Sequence, residues 1–269
     1  MEKIAHCINT LAEFCGQRDI DNLSQEILYK KYKIKQADVL VLFGGSILAG
    51  GDVLAEAMHN NIAKKYIIVG GAGHTTDNLR KKMQSVLLDI DISNLSEAEI
   101  FAAYLQEKYS LQVDLLETKS TNCGNNITLL LNLLKENNID CKNIIMIQDA
   151  AMQRRMAAGL KKYRNDIDII NFTAYKVKVT TKNNELLFDD KIWGMWTMQQ
   201  YISLLLGEIP RLMDDVNGYG PKGKDYIAHV DIPVKVQKTF TELSKKYSLF
   251  IRKADARFAN SKNSDCSNK

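Results

Sequence analysis

Short apolar runs that each end in a glycine-rich or polar loop are the feature that most constrains the fold of this chain. Residues 38–43 (Asp-Val-Leu-Val-Leu-Phe) form a continuous β-branched and aliphatic run that ends in the Gly-Gly-Ser of residues 44–46. Residues 66–69 repeat the pattern and end in the Gly-Gly-Ala-Gly-His of residues 70–74. Continuous apolar runs of this length are typical of strands that are buried on both faces of a parallel sheet.

Three further runs, residues 113–116, 143–147 and 167–172, bring the number of predicted strands to five. Segments with apolar residues at helical spacing lie between the strands. Strands that alternate with helices predict an α/β fold with a Rossmann-like, doubly wound parallel sheet and right-handed crossovers. In open sheets of this kind ligands bind at the carboxyl ends of the strands, so the loops that follow the strands are expected to converge there.

Two helix starts can be predicted from single residues. Asp52 is a plausible N-cap for a helix over residues 52–63. Ser96 and Glu99 have the spacing of a capping box, which predicts a helix whose first residue is Glu97.

The flanking regions differ from the alternating core. Residues 1–34 predict two helices that pack on a Rossmann-like domain of residues 35–175. Residues 176–253 begin with a polar hairpin or loop, continue into an apolar, helix-like stretch at residues 193–206 and then become rich in turn residues. They predict an appended, mostly helical subdomain or lid. The polar residues 254–269 are expected to form a disordered tail.

The composition indicates the class of protein but says little about its function. The 269 residues are 45% hydrophobic and 25% charged, as is ordinary for a globular protein. The net charge is +4 without a basic cluster, so no nucleic-acid partner is expected. Five cysteines without a Cys-x-x-Cys pair favour a reducing compartment. No signal peptide or bilayer-length apolar segment is apparent, so we expect a soluble, cytoplasmic protein without membrane contact.

The two glycine-rich loops are candidate ligand contacts. Neither has the register of the dinucleotide fingerprint or the Gly-Lys-Ser/Thr ending of a P-loop, and one such loop alone is explained as a tight turn. Two of them after neighbouring strands favour a ligand cradle. The imidazole of the histidine could donate a hydrogen bond to a phosphate, a carboxylate or a ribose hydroxyl. A loop histidine without a functional role explains the residue equally well. The predicted contacts are Gly44, Gly45, Ser46, Gly70, Gly71, Gly73 and His74.

A second group of candidates lies at two predicted helix starts. Stabilisation by the helix dipole is enough to explain a carboxylate at Glu97 without assigning it a function. The same carboxylate could also accept hydrogen bonds from ribose hydroxyls or act as a general base. Residues 117–126 (Glu-Thr-Lys-Ser-Thr-Asn-Cys-Gly-Asn-Asn) join a strand to a helix, and the free N–H groups of such a corner suit an anion. Cys123 is a candidate nucleophile, although a small buried cysteine is the commoner case. The predicted contacts are Glu97, Ser120, Thr121, Asn122, Gly124 and Asn126.

A third group follows the fourth predicted strand and comprises Asp149, Gln153, Arg154 and Arg155. Guanidinium groups suit carboxylates and phosphates, and adjacent arginines on a helix point in different directions, so one of the two could face a ligand. The sequence contains no Gly-x-Ser-x-Gly elbow, no His-Glu-x-x-His motif and no clustered acidic metal site. Hydrolase and metalloenzyme functions are therefore disfavoured, and no metal ligands are predicted.

Six segments of the chain resemble the bacterial SanA/ElyC/YdcF family, over a region from about residue 37 to about residue 236. They are residues 43–46, 69–76, 96–99, 120–126, 147–155 and 205–226, and the last segment is long and specific. The resemblance implies a Rossmann-like domain. For the cytoplasmic YdcF branch, which lacks a transmembrane helix, it also implies S-adenosylmethionine as a ligand, with no established reaction.

Two departures from related patterns bear on the chemistry. Asn125 stands where the family commonly has Glu, so no acid or base is expected at that position. The first predicted strand also lacks the Gly-x-Gly-x-Gly loop of Rossmann methyltransferases, so methyl transfer does not follow from binding.

The leading interpretation is therefore a protein that binds S-adenosylmethionine or a related nucleotide-like ligand, with transferase activity left open. One alternative is an enzyme that holds a phosphorylated or carboxylated metabolite with His74, Arg154, Arg155 and the backbone amides of the loops. A second is a non-catalytic metabolite sensor in which residues 211–224 form a lid.

Overall fold

The computed structural model describes residues 1–45, 47–73 and 75–250 and contains a five-stranded, all-parallel sheet. The strands are β1 (Ala37–Phe43), β2 (Ala63–Val69), β3 (Leu115–Glu117), β4 (Asn143–Ile147) and β5 (Asp168–Asn171). Their order in the sheet is β3-β2-β1-β4-β5. The predicted Rossmann-like fold is thus confirmed, and the strand order reverses between β1 and β4, which is where ligands bind in such sheets.

Nine α-helices, a 3-10 turn and a hairpin complete the described residues. The helices are α1 (Glu2–Cys15), α2 (Gln25–Tyr32), α3 (Ala49–His59), α4 (Thr76–Met83), α5 (Glu97–Tyr109), α6 (Cys123–Glu136), α7 (Gln153–Tyr163), α8 (Met198–Leu212) and α9 (Val234–Lys246). The 3-10 turn is Ser248–Phe250, and the hairpin pairs β6 (Val179–Lys182) with β7 (Glu185–Phe188).

Both faces of the sheet are covered because successive side chains of each strand point to opposite sides. Val39 and Val41 of β1 pack in one apolar cluster with residues of α6 and α7. Leu40 and Leu42 of the same strand belong to a larger cluster that includes residues of α1, α3, α5 and α8. This two-sided burial is the physical reason for the continuous apolar runs in the sequence.

The predicted helix starts have different outcomes. The capping box of α5 is confirmed: the Ser96 hydroxyl accepts from the backbone N–H of Glu99, and the Glu99 carboxylate accepts from that of Ser96. The prediction that Asp52 caps a helix is wrong, because α3 already begins at Ala49. The Asp52 carboxylate instead accepts hydrogen bonds from the hydroxyls of Tyr104 and Tyr109 at 2.5 and 2.6 Å.

Helix α8 also differs from the prediction. The sequence predicted a helix over residues 193–206 followed by irregular structure, whereas α8 begins at Met198 and continues through Pro210 to Leu212. Ile209 and Leu212 are fully buried, so tertiary packing holds the last turn in helical form despite the unfavourable propensity of proline.

The C-terminal elements pack against the N-terminal helix. The Asn9 side chain of α1 exchanges two hydrogen bonds with the backbone of Val179 in β6, at 2.8 and 2.7 Å, and residues of α8 and α9 share the larger apolar cluster with α1. The division into domains stays a prediction, and the predicted tail at residues 254–269 lies outside the described residues. Within those residues, no helix has the length and apolar content needed to cross a membrane.

Candidate functional site

The loops that follow β1, β2 and β3 are joined by hydrogen bonds at the carboxyl edge of the sheet. The backbone N–H of Gly44 donates to the carbonyl of Val69 at 2.7 Å, and that of Gly70 donates to the carbonyl of Glu117 at 2.9 Å. One residue further on, the N–H of Gly71 donates to the Ser120 hydroxyl at 3.0 Å. The predicted convergence of these three loops is present in the structure.

Two of these glycines are required by close packing. A Cβ atom on Gly71 would lie 2.2 Å from the carbonyl oxygen of Ser120, which is backbone and cannot swing away. A Cβ atom on Gly44 would lie 2.7 Å from Oε2 of Glu97. Above Gly45, by contrast, no described atom lies within 4 Å of the Cβ position, so this part of the edge has free space.

Glu97 is held over the glycine loops by backbone hydrogen bonds at the start of α5. Its own N–H donates to the carbonyl of Gly71 at 2.9 Å, and the N–H of Ala98 donates to that of Gly70 at 2.8 Å. The carboxylate atom Oε1 accepts from the hydroxyls of Thr76 at 2.9 Å and Thr75 at 3.2 Å. The capping box therefore has a second effect. It fixes the residue at which α5 begins, and this places the Glu97 carboxylate at the sheet edge.

The Glu97 carboxylate is buried but incompletely bonded. The residue is only 7% exposed, and burial raises the pKa of the carboxyl, against the lowering effect of the two threonine hydroxyls and the charge of Arg80. Oxygen Oε2 accepts no hydrogen bond within the described part of the chain and lies next to the position that a Cβ atom on Gly44 would occupy. A carboxylate oxygen at this edge that has no donor among the described residues is suited to accept a hydrogen bond from a ligand.

The loop between β3 and α6 closes the other side of the edge. Its turn is fixed by Glu117, whose Oε1 accepts from the backbone N–H groups of Lys119 and Ser120 at 2.6 and 3.0 Å. Asn122 is the N-cap of α6, and its side chain accepts from the N–H of Asn125. The first turn of α6 contains no acidic residue, so its N–H groups and dipole are suited to an anionic group.

The remaining predicted contacts of this loop differ in exposure. Thr121 and Gly124 are exposed, and the Thr121 hydroxyl donates to Oδ1 of Asn125 at 3.1 Å. Asn126, one turn into α6, is buried. As ligand-binding residues they remain predictions.

Asp149, after β4, is committed to protein partners. It is 4% exposed and accepts from Trp196 Nε1 at 2.7 Å, from the N–H of Ala151 at 2.8 Å and from the Tyr175 hydroxyl at 3.2 Å. Burial raises the pKa of Asp149 to about 6, although the three hydrogen bonds act in the opposite direction and the charge of Glu208 adds to the rise. The carboxylate thus links the loop after β4 to the segment before α8 by hydrogen bonds.

The raised pKa of Asp149 predicts a dependence of stability on pH. The folded state binds the proton more tightly than the unfolded chain, so this group favours folding below its ordinary pKa of 3.8, and the advantage is lost as the pH rises through about 6. At about 1.4 kcal/mol per pKa unit, the difference amounts to roughly 3 kcal/mol. The free energy of unfolding of the wild type, relative to Asp149→Asn, is expected to fall by this amount between about pH 4 and pH 7. Equal pH profiles for the two proteins in urea titrations would contradict the assignment.

Gln153 and the two arginines of α7 are also bound by the protein. Gln153 is fully buried and donates to the carbonyl of Met146 and to Asn171 Oδ1, which links β4 to β5. Arg154 donates to the carbonyl of Phe14 and lies over its ring, with 4.3 Å between the guanidinium carbon and the ring centroid.

Arg155 forms a two-pronged ion pair with Glu208 of α8, in which Nη2 and Oε1 are 2.9 Å apart. Both side chains are buried, at 12% and 4% exposure. Burial disfavours the charged guanidinium, but the carboxylate of Glu208 and the thiol of Cys123 outweigh it and raise the pKa of Arg155. The ion pair places the starts of α6 and α7 next to α8.

A segment that the sequence did not predict to be part of the site forms a wall at the sheet edge. We call residues 192–197 the tryptophan segment. The carbonyl of Trp193 accepts from the N–H of Ala49 at the start of α3, and the carbonyl of Gly194 accepts from Lys82 Nζ at 2.7 Å. Trp196 is buried and holds Asp149, as described above.

Sequence reasoning named Glu97 as a candidate but did not name the residues that orient it and its neighbours. Thr75 and Thr76 lie in residues 69–76, one of the segments that resemble the family, and Glu208 lies in residues 205–226, another of them. This resemblance was the signal in the sequence that could have identified them. Trp196 had no local signal, because its partner Asp149 is 47 positions away. The predicted contacts Ser46 and His74 lie outside the described residues.

No protein-family model matches the sequence. Solved structures to which the chain is similar include the E. coli tRNA N6-threonylcarbamoyladenosine dehydratase TcdA, at 14% identity over 82% of this chain and 90% of that chain, with a TM-score of 0.31. The same enzyme in complex with AMP matches at 12% identity over 79% and 88% of the two chains, with a TM-score of 0.31. The assignment of the fold rests on the strand order of this chain itself.

Proposed function

We propose that this chain is a member of the SanA/ElyC/YdcF family and binds a nucleotide-like small molecule at the carboxyl edge of β1, β2 and β3, with S-adenosylmethionine as the first candidate. The observation that carries the proposal is the Glu97 carboxylate, which is buried above Gly44 and Gly70 with Oε2 free of hydrogen bonds to the described residues. A carboxylate oxygen at the sheet edge without a protein donor is available to a ligand that donates hydrogen bonds, and hydrogen bonds to a charged group are stronger than those between neutral groups.

The polar groups of the edge suit the two ends of S-adenosylmethionine. The ribose of that ligand offers two hydroxyl donors, which match the Oε2 acceptor of Glu97. Its amino-acid carboxylate matches the start of α6, where Asn122 caps the helix and no acidic residue opposes an anion. When bound, S-adenosylmethionine supplies a methyl group to an acceptor. The residues named here bind and orient the ligand, and no acceptor is assigned.

The alternative of a phosphorylated or carboxylated substrate has less support. It relied on Arg154, Arg155, His74 and the loop amides to hold the anion. The two arginine side chains bond to the carbonyl of Phe14 and the carboxylate of Glu208. A ligand would have to displace the Glu208 carboxylate to take the fork of Arg155, which would leave a buried charge unpaired.

Isothermal titration of the purified protein with S-adenosylmethionine, repeated with Glu97→Gln, tests the proposal. The amide keeps the size of the side chain but removes the charge, and a hydrogen bond to a charged group contributes about 1.5–3 kcal/mol. The affinity of the variant is therefore expected to fall by roughly 10- to 100-fold. Gly44→Ala is expected to weaken binding as well, because the added methyl group would lie against Oε2.

Glu107→Gln is the matched control, since Glu107 lies on the same helix but is exposed. It is expected to bind like the wild type. The proposal is wrong if S-adenosylmethionine and its demethylated product, S-adenosylhomocysteine, both fail to bind at millimolar concentration, or if binding is unchanged in Glu97→Gln.

A further inference from the structure

We infer that Thr76 is a positioning residue, which fixes the orientation and the ionisation of the Glu97 carboxylate and couples both to the conformation of the glycine loop after β2. The inference rests on the proposed function for its role in binding, but the effect on Glu97 can be measured without a ligand.

The hydrogen bonds of Thr76 connect the loop to the carboxylate. The residue is 1% exposed, and its hydroxyl donates to Glu97 Oε1 at 2.9 Å. The same hydroxyl accepts from the backbone N–H of Gly73 at 2.7 Å, and the N–H of Thr76 donates in return to the carbonyl of Gly73. A hydroxyl has one proton to donate. Because the Thr76 oxygen accepts from the N–H of Gly73 on one side, its own proton is directed to the Glu97 carboxylate on the other.

This arrangement decides which carboxylate oxygen is available. Thr75 and Thr76 both donate to Oε1, so the carboxyl plane is fixed and Oε2 is left facing Gly44. The two donors stabilise the ionised form against burial. The charge of Arg80 in α4 also acts on Glu97 and lowers its pKa, and the Arg80 guanidinium is bonded to the carbonyl of Leu95 and to Asp77.

Thr76→Val tests the inference, because valine has nearly the same shape but no hydroxyl. Loss of the donor is expected to lower the affinity for S-adenosylmethionine about tenfold at neutral pH. It is also expected to raise the pKa of Glu97, so that binding is lost at a higher pH on acidification than in the wild type. Thr76→Ser keeps the hydroxyl and is expected to restore both the affinity and the pH profile.

A titration of the 13C-labelled Glu97 carboxyl by NMR provides the readout that does not need a ligand. The midpoint is expected to move to higher pH in Thr76→Val, and to a smaller extent in Thr75→Val, whose bond is longer at 3.2 Å. The milder Thr75→Val variant also serves if Thr76→Val does not fold, because Thr75 is only partly buried.

The outcomes separate this inference from the proposed function. If Glu97→Gln loses binding while Thr76→Val binds with wild-type affinity and an unchanged pH profile, the proposed function stands and the role of Thr76 is wrong. If no variant changes binding, the proposed function fails. A Glu97 midpoint that does not move in either threonine variant overturns the inference even when no ligand binds.

Discussion

Glu208→Ala is expected to lower the free energy of unfolding by about 3–5 kcal/mol, the cost of leaving a buried charge without its partner. The variant leaves the Arg155 guanidinium without its carboxylate partner. This side chain lies between α6, α7 and α8 with 12% exposure. Urea unfolding followed by circular dichroism measures the change. A loss of this size would remove much of the stability of a typical domain.

Two control variants identify the cause. The double variant Arg155→Met/Glu208→Leu removes both charges and is expected to recover most of the lost stability, because a buried ion pair can often be replaced by apolar side chains without cost. Asp166→Ala breaks the exposed pair with Arg164 and is expected to change the free energy of unfolding far less than Glu208→Ala, because solvent screens exposed charges. A loss in Glu208→Ala no greater than in Asp166→Ala would mean that the buried pair is not formed in solution.

Gly71→Ala is expected to abolish binding at the sheet edge and to destabilise the protein by about 1–3 kcal/mol, as overpacking does in well-packed interiors. The new Cβ atom would lie 2.2 Å from the backbone oxygen of Ser120, so the loops after β2 and β3 would have to separate. Their separation would break the hydrogen bond from Gly71 to the Ser120 hydroxyl and displace the carbonyl that holds the N–H of Glu97. Titration with S-adenosylmethionine and urea unfolding measure the two effects.

Gly159→Ala is the matched control for this substitution. Gly159 lies within α7, where an added Cβ atom would make ordinary contact with Ile127 at 3.5 Å. Alanine is preferred to glycine in a helix by roughly 0.5–1 kcal/mol, so this variant is expected to be at least as stable as the wild type and to bind normally. Wild-type binding by Gly71→Ala would show that the two loops can separate without affecting the ligand.

The sheet could be predicted from sequence because its signals are local. Strands such as β1 and β4 are continuous apolar runs bounded by glycine or polar residues, and burial on both faces leaves that pattern in the sequence. The start of α5 was also local, since Ser96 and Glu99 are three residues apart. Propensity failed at α8, where the packing of distant helices overrides Pro210.

The site could be predicted only where the topology brings loops together. Parallel strands place their carboxyl ends at one edge, so the convergence of Gly44, Gly71 and Ser120 followed from the order of elements. The partners of the arginines did not follow, because Arg155 and Glu208 are 53 positions apart and Arg154 and Phe14 are 140 apart. Two arginines after a strand have the same local pattern whether they bind an anion or hold the N-terminal helix.

The tryptophan segment gives the protein a built-in optical probe. The chain has two tryptophans, and both lie in this segment, so its tryptophan fluorescence originates beside the sheet edge. Trp196 is shielded from water and bonded to a carboxylate, whereas Trp193 is about one-third exposed. Emission and quenching by iodide therefore report on this one wall, and any rearrangement of it on ligand addition can be followed in the unlabelled wild-type protein.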